Sequence, residues 1–267
     1  MRPDDLFAVS TAAQDLAQAA QGDPVATTRV GYRYITGSGG AVDSGKARRY
    51  FQAASSSNPI ATAWVQYIDF RSCRSTQITR AAAFQALQAA ANATEPVAQT
   101  LLGTVYFWGL RNTVRDVPRA KSLYSAASSH FALAKTRLGM ILLAEGDFET
   151  AAALFSDAAA IGDTKAMVAL ADLQTRKLHP RPQLCQAKGL LRVAAQRQDC
   201  NALYKLGLLS KVPSPHAAFN LFHQAALIGH PEAQLETSRA YANGAGVQRD
   251  LAAATFWQRK ANQQGVY

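Results

Sequence analysis

The sequence predicts an all-α protein built from a repeated unit, because its composition favours helices and two patterns recur along it. Among the 267 residues, 53 are Ala, whereas Val and Ile together number only 21. Ala is the best helix former and Val and Ile favour strands, so this balance favours helices. Apolar residues make up 48% of the chain, which is enough for a core and excludes disorder of the whole chain.

The repeat is defined by two markers that keep the same period. One is an Ala followed five positions later by a small residue, and the other is an Ala-Ala pair near the end of nearly every interval. Two markers that advance together indicate a structural repeat. The seven predicted units begin near Ala26, Ala61, Ala98, Ala134, Ala166, Ala202 and Ala233.

Each unit has the pattern of two helices. In the first helix, the small residue lets the partner helix approach closely, although the second unit has Gln66 at this position. In the first, third and last units a Gly-rich turn follows, and Asp43, Asp116 or Asp250 then provides the expected N-cap of the second helix. The second helices contribute one large core residue each, and we predict Tyr50, Phe155, Leu190, Phe222 and Trp257 for this role.

The segment from Ala233 to Gly265 closely resembles a Sel1-like repeat, and so do 98–127 and 26–54. The fourth and sixth units are shorter and are closer to tetratricopeptide units. The resemblance covers about residues 22–265. It implies a right-handed α-solenoid of about seven Sel1-like repeats over 22–267, preceded by an N-terminal capping helix in 1–21, and a protein-binding scaffold as the function.

Motifs for catalysis, cofactors or metals are weak in this sequence. The run from Gly40 to Lys46 has the glycines and lysine of a phosphate-binding loop, but Ala47 replaces the required Ser or Thr. No pair of histidines or cysteines has the close spacing of a zinc motif, and no nucleophile elbow is present. The cysteine pairs of the Sel1-like relatives linked to penicillin binding are also missing. We therefore expect no enzyme, no cofactor and no metal.

The positive charge is concentrated in or beside the turns that join the two helices of a unit. The net charge is +10, and stacking of the units should align these turns along one edge. Such an edge suits an acidic partner, although charged turns are also common for solvation alone. The predicted basic edge consists of Arg71, Arg74, Arg111, Arg115, Arg176, Lys177, Arg181, Lys211 and Arg249.

A second predicted surface is a concave groove lined by the first helices. The tetratricopeptide resemblance places the side chains one and four positions after the small residue on its wall. This set is rich in aromatic residues, so it suits an apolar partner segment; alternatively, the same residues complete the core between neighbouring helices. The predicted groove consists of Tyr32, Tyr67, Phe70, Thr104, Phe107, Met140, Leu143, Tyr204 and Leu208, with Asp172 and Arg239 as charged exceptions.

These observations predict a non-catalytic protein-interaction scaffold, an adaptor or a structural subunit of a large complex. The alternative is an RNA-binding helical-repeat protein, which the variable inner positions disfavour. The weakest hypothesis is a hydrolase similar to the cysteine-rich Sel1-like relatives. The three cysteines do not form a disulfide framework, and no apolar run reaches the length of a membrane span. We therefore expect an intracellular protein, located in the cytoplasm or in an organelle.

Overall fold

The structure is a computed structural model that describes residues 2–7, 10–38, 42–73, 75–175 and 184–266. The chain divides into two compact units. Unit 1 contains Met1–Thr36 and Val42–Ala166, and unit 2 contains Gly37–Ala41 and Met167–Tyr267. All regular secondary structure in the described part of both units is helical, so the prediction of an all-α repeat fold is confirmed.

Within the described residues, a short 3₁₀ turn, Pro3–Phe7, precedes fifteen α-helices, and a second one, Leu110–Asn112, follows the sixth of them. Helices α2 to α15 follow one another as the first and second helices of seven units, which we call repeats one to seven. Contacts between the two helices join them in repeats one to four, six and seven. The helices are α1 Ala12–Ala20, α2 Pro24–Thr36, α3 Ser44–Ala54, α4 Pro59–Arg71, α5 Gln77–Asn92, α6 Pro96–Trp108, α7 Val117–Ser128, α8 Ala132–Glu145, α9 Phe148–Ile161, α10 Thr164–Thr175, α11 Leu184–Gln196, α12 Cys200–Ser210, α13 Pro215–Ile228, α14 Pro231–Asn243 and α15 Leu251–Asn262.

The small residue of the first helix allows a ring of the second helix to lie directly on its backbone. A Cβ atom built at any of four glycines would come within 3 Å of a ring atom, which is closer than real Cβ contacts permit. The glycine therefore sets how closely the two helices approach. The pairs and their distances are Gly31 with Phe51 at 2.9 Å, Gly103 with Tyr124 at 2.8 Å, Gly139 with Phe155 at 2.8 Å and Gly207 with Phe222 at 2.5 Å.

Two of the predicted core residues of the second helices are wrong by one position. Phe51 is fully buried in α3, whereas the neighbouring Tyr50 is only half-buried. In α11 the buried residue is Leu191, and Leu190 is half-buried. One residue turns a helix by about 100°, so an error of one position moves a side chain off the buried face.

The predicted N-caps are present. The carboxylate of Asp43 accepts a hydrogen bond from the backbone N–H of Lys46 at 2.8 Å, and Asp116 accepts one from Arg119 at 2.9 Å. Asp250 caps α15 in the same way. Lys46 is thus part of the first turn of α3. The element before this turn is helix α2, whereas a phosphate-binding loop follows a strand. Gly40 and Ala41 of that motif lie outside the described residues.

The predicted N-terminal capping helix over residues 1–21 is divided in the structure. Helix α1 packs against α2, while Pro3–Phe7 forms a separate 3₁₀ turn. Asp15 of α1 is completely buried and holds the contact with α2, because both Arg29 and Arg33 donate to its carboxylate at 2.8 Å. Across the described residues, no helix has both the length and the hydropathy needed to cross a bilayer.

Candidate protein-binding surface

The first helices of unit 1 lie side by side, with α4 against α6 and α6 against α8. This arrangement brings the predicted groove residues of unit 1 onto one surface, which we call the first-helix surface. Four of them are more buried than an open groove would leave them, with exposed fractions of 5–7%, and three are half-buried. The buried four are Tyr32, Tyr67, Phe70 and Thr104, and the half-buried three are Phe107, Met140 and Leu143.

The buried members of this surface are connected to the core. Trp64 lies between Tyr32 and Tyr67, with ring centroids 5.8 and 5.9 Å away, and stacks on Phe51 at 5.5 Å. Phe70 stacks on Phe84 of α5 at 5.1 Å. These aromatic residues therefore stabilise the packing of neighbouring repeats, as the alternative interpretation of the groove expected.

Thr104 also belongs to the core, because its hydroxyl accepts a hydrogen bond from the Tyr124 hydroxyl at 3.1 Å. Burial raises the pKa of Tyr32, Tyr67 and Tyr124, and the positive charge of Arg137 partly opposes the shift in all three. Arg137 was not among the predicted site residues. It lies three residues after Ala134 and two residues before Gly139, the small residue of the fourth unit. The repeat pattern assigns no role to this position, so the sequence did not point to Arg137.

The third repeat carries an exposed patch where its helices meet, which we call the turn patch and define as Phe107, Trp108, Arg111, Val114 and Arg115. Trp108 is 60% exposed and Val114 is 82% exposed. Phe107 packs edge-on against Trp108 with centroids 4.9 Å apart, and Arg115 lies over the Phe107 ring at 5.8 Å. The patch thus joins one predicted groove residue to two predicted residues of the basic edge.

Arg111 connects the turn patch to the second repeat. Its Nε donates to the backbone carbonyl of Arg71 at 2.8 Å, and its Nη2 donates to the Cys73 Sγ at 2.8 Å. The hydrogen bond from Arg111 lowers the pKa of the exposed Cys73 thiol. Arg71 itself lies over the Tyr67 ring at 5.3 Å. The structure therefore brings Arg71 and Arg111 together on unit 1.

Arg74, Arg176, Lys177 and Arg181 lie outside the described residues. In unit 2, Arg249 is exposed, and Lys211 forms an ion pair with Glu236 at 2.6 Å.

In unit 2 the predicted groove positions line a more polar surface. Arg239 also pairs with Glu236, at 2.8 Å, so one carboxylate lies between two cations. These three side chains and the rings of Phe219 and Phe222 line a cavity of about 300 Å³. Burial opposes ionisation of Glu236, but the hydrogen bonds from Lys211 and Arg239 outweigh it and lower its pKa.

The remaining predicted groove residues of unit 2 lie in different environments. Tyr204 stacks on His230 with ring centroids 4.5 Å apart. Leu208 is 43% exposed, and Asp172 forms an ion pair with Lys205 at 2.8 Å. Burial lowers the pKa of His230, so the stacked imidazole favours its neutral form.

The N-terminal 3₁₀ turn lies on the first-helix surface of unit 1. Leu6 and Phe7 are buried, and the Phe7 ring contacts the rings of Tyr32 and Phe131 with centroid distances of 5.5 and 6.0 Å. The Asp4 carboxylate accepts a hydrogen bond from the backbone N–H of Ala132 at 2.7 Å. No feature of the repeat pattern pointed to this segment, because it precedes the first repeat.

The described residues contain no group of three or more His, Cys, Asp or Glu side chains positioned to hold a metal ion. The geometry consists of helix pairs, exposed aromatic side chains and paired charges.

The sequence profile described as Sel1 repeat matches residues 24–59, 96–130, 193–230 and 231–266, which is more than half of the chain. The chain belongs to the Sel1 repeat family. The matched segments include the first, third, sixth and seventh repeats, so the sixth, expected to be closer to a tetratricopeptide unit, also fits this profile. Comparison with curated proteins gives no significant match.

Solved structures with the same fold include three bacterial proteins. A protective antigen of uropathogenic Escherichia coli with an SLR fold matches with a TM-score of 0.65 and 24% identity, over 96% of this chain and 56% of its own. A Sel1 repeat protein from Oxalobacter formigenes matches with a TM-score of 0.60 and 25% identity, over 69% of this chain and 77% of its own. An immunity protein from Pseudomonas aeruginosa matches with a TM-score of 0.56 and 16% identity, over 75% of this chain and 81% of its own.

The chain thus spans little more than half the length of the E. coli antigen. Sel1 repeat proteins commonly act in protein–protein interaction, and their fold generally serves as a binding scaffold. The comparisons give no support for the RNA-binding alternative.

Proposed function

We propose that this Sel1 repeat protein is a non-catalytic adaptor, or a subunit of a larger assembly, that binds a protein partner through unit 1. The binding surface consists of the turn patch and the exposed part of the first-helix surface, together with the cations of the basic edge. The observation that carries the proposal is the turn patch, where the exposed Trp108 packs on Phe107 and Arg115 lies over the same ring, with an exposed Val and a second Arg in the same turn.

This composition is typical of the centre of a protein interface. Trp and Arg are among the residues most enriched at the positions that dominate binding energy. Packing restricts the mobility of the patch, because Arg115 lies over the Phe107 ring and that ring contacts Trp108. A preordered aromatic and cationic surface loses less conformational entropy on binding.

The cations indicate which partner the patch would bind. Arg115 is exposed and its side chain has no carboxylate within ion-pair distance among the described residues, in contrast to Lys211 of unit 2. Its Nε donates only to the backbone carbonyl of Phe107, at 3.2 Å. We therefore expect a partner with an apolar side chain for Trp108 and Val114 and with carboxylates beside it.

The experiment is affinity capture by the full chain, with and without nuclease, followed by measurement of the dissociation constant of the captured protein. Trp108→Ala with Arg115→Glu should weaken binding by at least thirtyfold, since loss of a dominant aromatic residue costs about 2 kcal/mol or more. Charge reversal should also reduce the salt dependence of the remaining affinity.

The matched control is Phe256→Ala with Arg259→Glu, which removes a 52% exposed ring and reverses an exposed cation in unit 2. This control should bind as the unchanged chain does. Equal losses in both double variants would contradict the turn patch as the binding surface. If nuclease treatment abolishes capture, the result would favour RNA over protein as the partner.

A further inference from the structure

The first helix of the fourth repeat differs from the other first helices at its N-terminus. Each of the others follows a polar side chain that accepts a hydrogen bond from a backbone N–H of its first turn. In α8 the N-cap residue is Phe131, which is fully buried and makes no such bond. The polar residues of the other six first helices are Asp23, Asn58, Glu95, Asp163, Asp199 and His230.

A carboxylate from another part of the chain supplies the missing cap. Asp4 accepts from the N–H of Ala132, the first residue of α8, although the two residues are 128 positions apart. The N-terminal N–H groups of a helix have no partner within the helix and attract negative charge. The start of α8 is therefore an acceptor-binding position that the repeat itself leaves unfilled.

An aromatic slot lies beside this position. Phe131 forms one wall and Tyr32 of α2 forms the other, and the Phe7 ring fills the space between them. Only 7% of Phe7 remains exposed. The slot thus takes a phenyl ring, and the helix start next to it takes a carboxylate.

The geometry of Pro3–Phe7 explains why one short segment reaches both positions. In a 3₁₀ turn, side chains three residues apart project on the same side. Asp4 and Phe7 have this spacing, so the turn presents its carboxylate and its ring together. Such a segment contacts unit 1 in the way that a short bound peptide contacts a groove, and it contributes no helix to the repeats.

We propose that Tyr32, Phe131 and the start of α8 form a docking site for an Asp-x-x-Phe turn of a partner protein, and that residues 3–7 occupy this site in cis. The inference rests on the proposed function in that it assigns a second binding position to the same first-helix surface. The partner segment replaces Pro3–Phe7, so binding requires displacement of the chain's own N-terminal turn.

The test uses a labelled hexapeptide with the sequence of residues 2–7, capped at both ends, and the full chain. Its binding is followed by fluorescence anisotropy with the unchanged chain and with the double variant Asp4→Asn, Phe7→Ala. A tethered segment competes at a high effective concentration. We expect the peptide to bind the double variant at least tenfold more tightly than the unchanged chain.

The control peptide has Asn and Ala at the positions of Asp4 and Phe7, and it should bind neither protein. Hydrogen exchange gives the location, because the amide of Ala132 should lose protection in the double variant and regain it with the peptide. Absence of peptide binding, or equal affinity for both proteins, overturns the inference. So does loss of the helical circular dichroism of the double variant, since the turn would then be an integral part of the fold.

These results are independent of the turn patch, because Trp108 and Arg115 make no contact with Pro3–Phe7 in the described interactions. Failure of the peptide with retained sensitivity of the partner to Trp108→Ala would overturn the docking site alone. If the peptide binds but Trp108→Ala leaves the affinity for the partner unchanged, the turn patch alone would be overturned.

Discussion

The same repeat position has different chemistry in the two units. In unit 1, the residue after the small position is Tyr32, Tyr67 or Thr104 in the first three repeats, and all three are buried. In unit 2, the corresponding residues of the last three repeats are charged or exposed: Asp172 pairs with Lys205, Leu208 is 43% exposed, and Arg239 pairs with Glu236.

This difference shows that the repeat determines where a side chain lies but not what that side chain does. A fixed helix geometry brings the position to the same surface of each repeat. Aromatic residues then pack on each other and on the N-terminal turn in unit 1. In unit 2 the charged residues form ion pairs instead, and Arg239 lines a cavity together with Glu236. The contacts between paired helices, in contrast, follow one rule in both units.

The largest expected effect tests that shared rule. Gly103→Leu in unit 1 and Gly207→Leu in unit 2 should each destabilise the protein by about 3 kcal/mol, because even a Cβ atom would overlap the ring of Tyr124 or Phe222. The measurement is thermal unfolding followed by circular dichroism.

Gly189→Ala is the control, since no atom lies within 4 Å of the added Cβ and Ala is the better helix former. It should unfold at the same temperature or higher. An unchanged melting temperature in either leucine variant would contradict the close approach of the paired helices in that unit.

A smaller effect is expected from the charged groups, and here the units should differ. Asp15→Ala should destabilise unit 1 by about 2 kcal/mol, because it leaves Arg29 and Arg33, with side chains 13% and 22% exposed, without their buried carboxylate. Lys211→Ala removes a half-exposed partner from Glu236 in unit 2 and should cost about 0.5 kcal/mol. Urea unfolding of both variants measures the two losses in free energy of unfolding. Equal losses would contradict the difference in burial between the two ion pairs.

The smallest expected effect is a pH dependence of opposite sign in the two units. Burial raises the pKa of Asp163 in unit 1, although hydrogen bonds from Thr136 and Lys165 oppose the shift. An acid with a raised pKa in the folded state loses stability as the pH rises above its unfolded value. Asp163→Asn should therefore gain melting temperature relative to the unchanged chain as the pH increases from 4 to 7.

Glu236 in unit 2 has a lowered pKa, so its contribution is present above the unfolded value and is lost as the pH falls through the folded one. Glu236→Gln should melt below the unchanged chain at pH 7, and the gap should close as the solution is acidified below pH 4. The same sign for both variants would contradict the assignment of these two environments.

The sequence alone determined the fold class, the period and the chemistry of the helix ends. Ala-rich helices, glycines at the close contact and Asp residues at the second-helix starts are local signals, so they can be read without a structure. The predicted core residues of α3 and α11 were wrong by one position, because helical periodicity alone does not show which of two adjacent apolar residues, such as Tyr50 and Phe51, is buried.

Only the tertiary structure decided which groove residues are covered. Tyr32, Tyr67 and Leu208 each follow directly after the small position of their repeat. Neighbouring rings bury the two Tyr side chains, whereas Leu208 remains exposed. The turn patch likewise depends on how Arg111 and Arg115 return to Arg71 and Phe107. Burial depends on contacts between residues that are distant in the chain, and a repeat pattern contains no information about those contacts. The pairing of Asp4 with Ala132 is the clearest case, because a 3₁₀ turn of five residues has no periodicity that could indicate its partner.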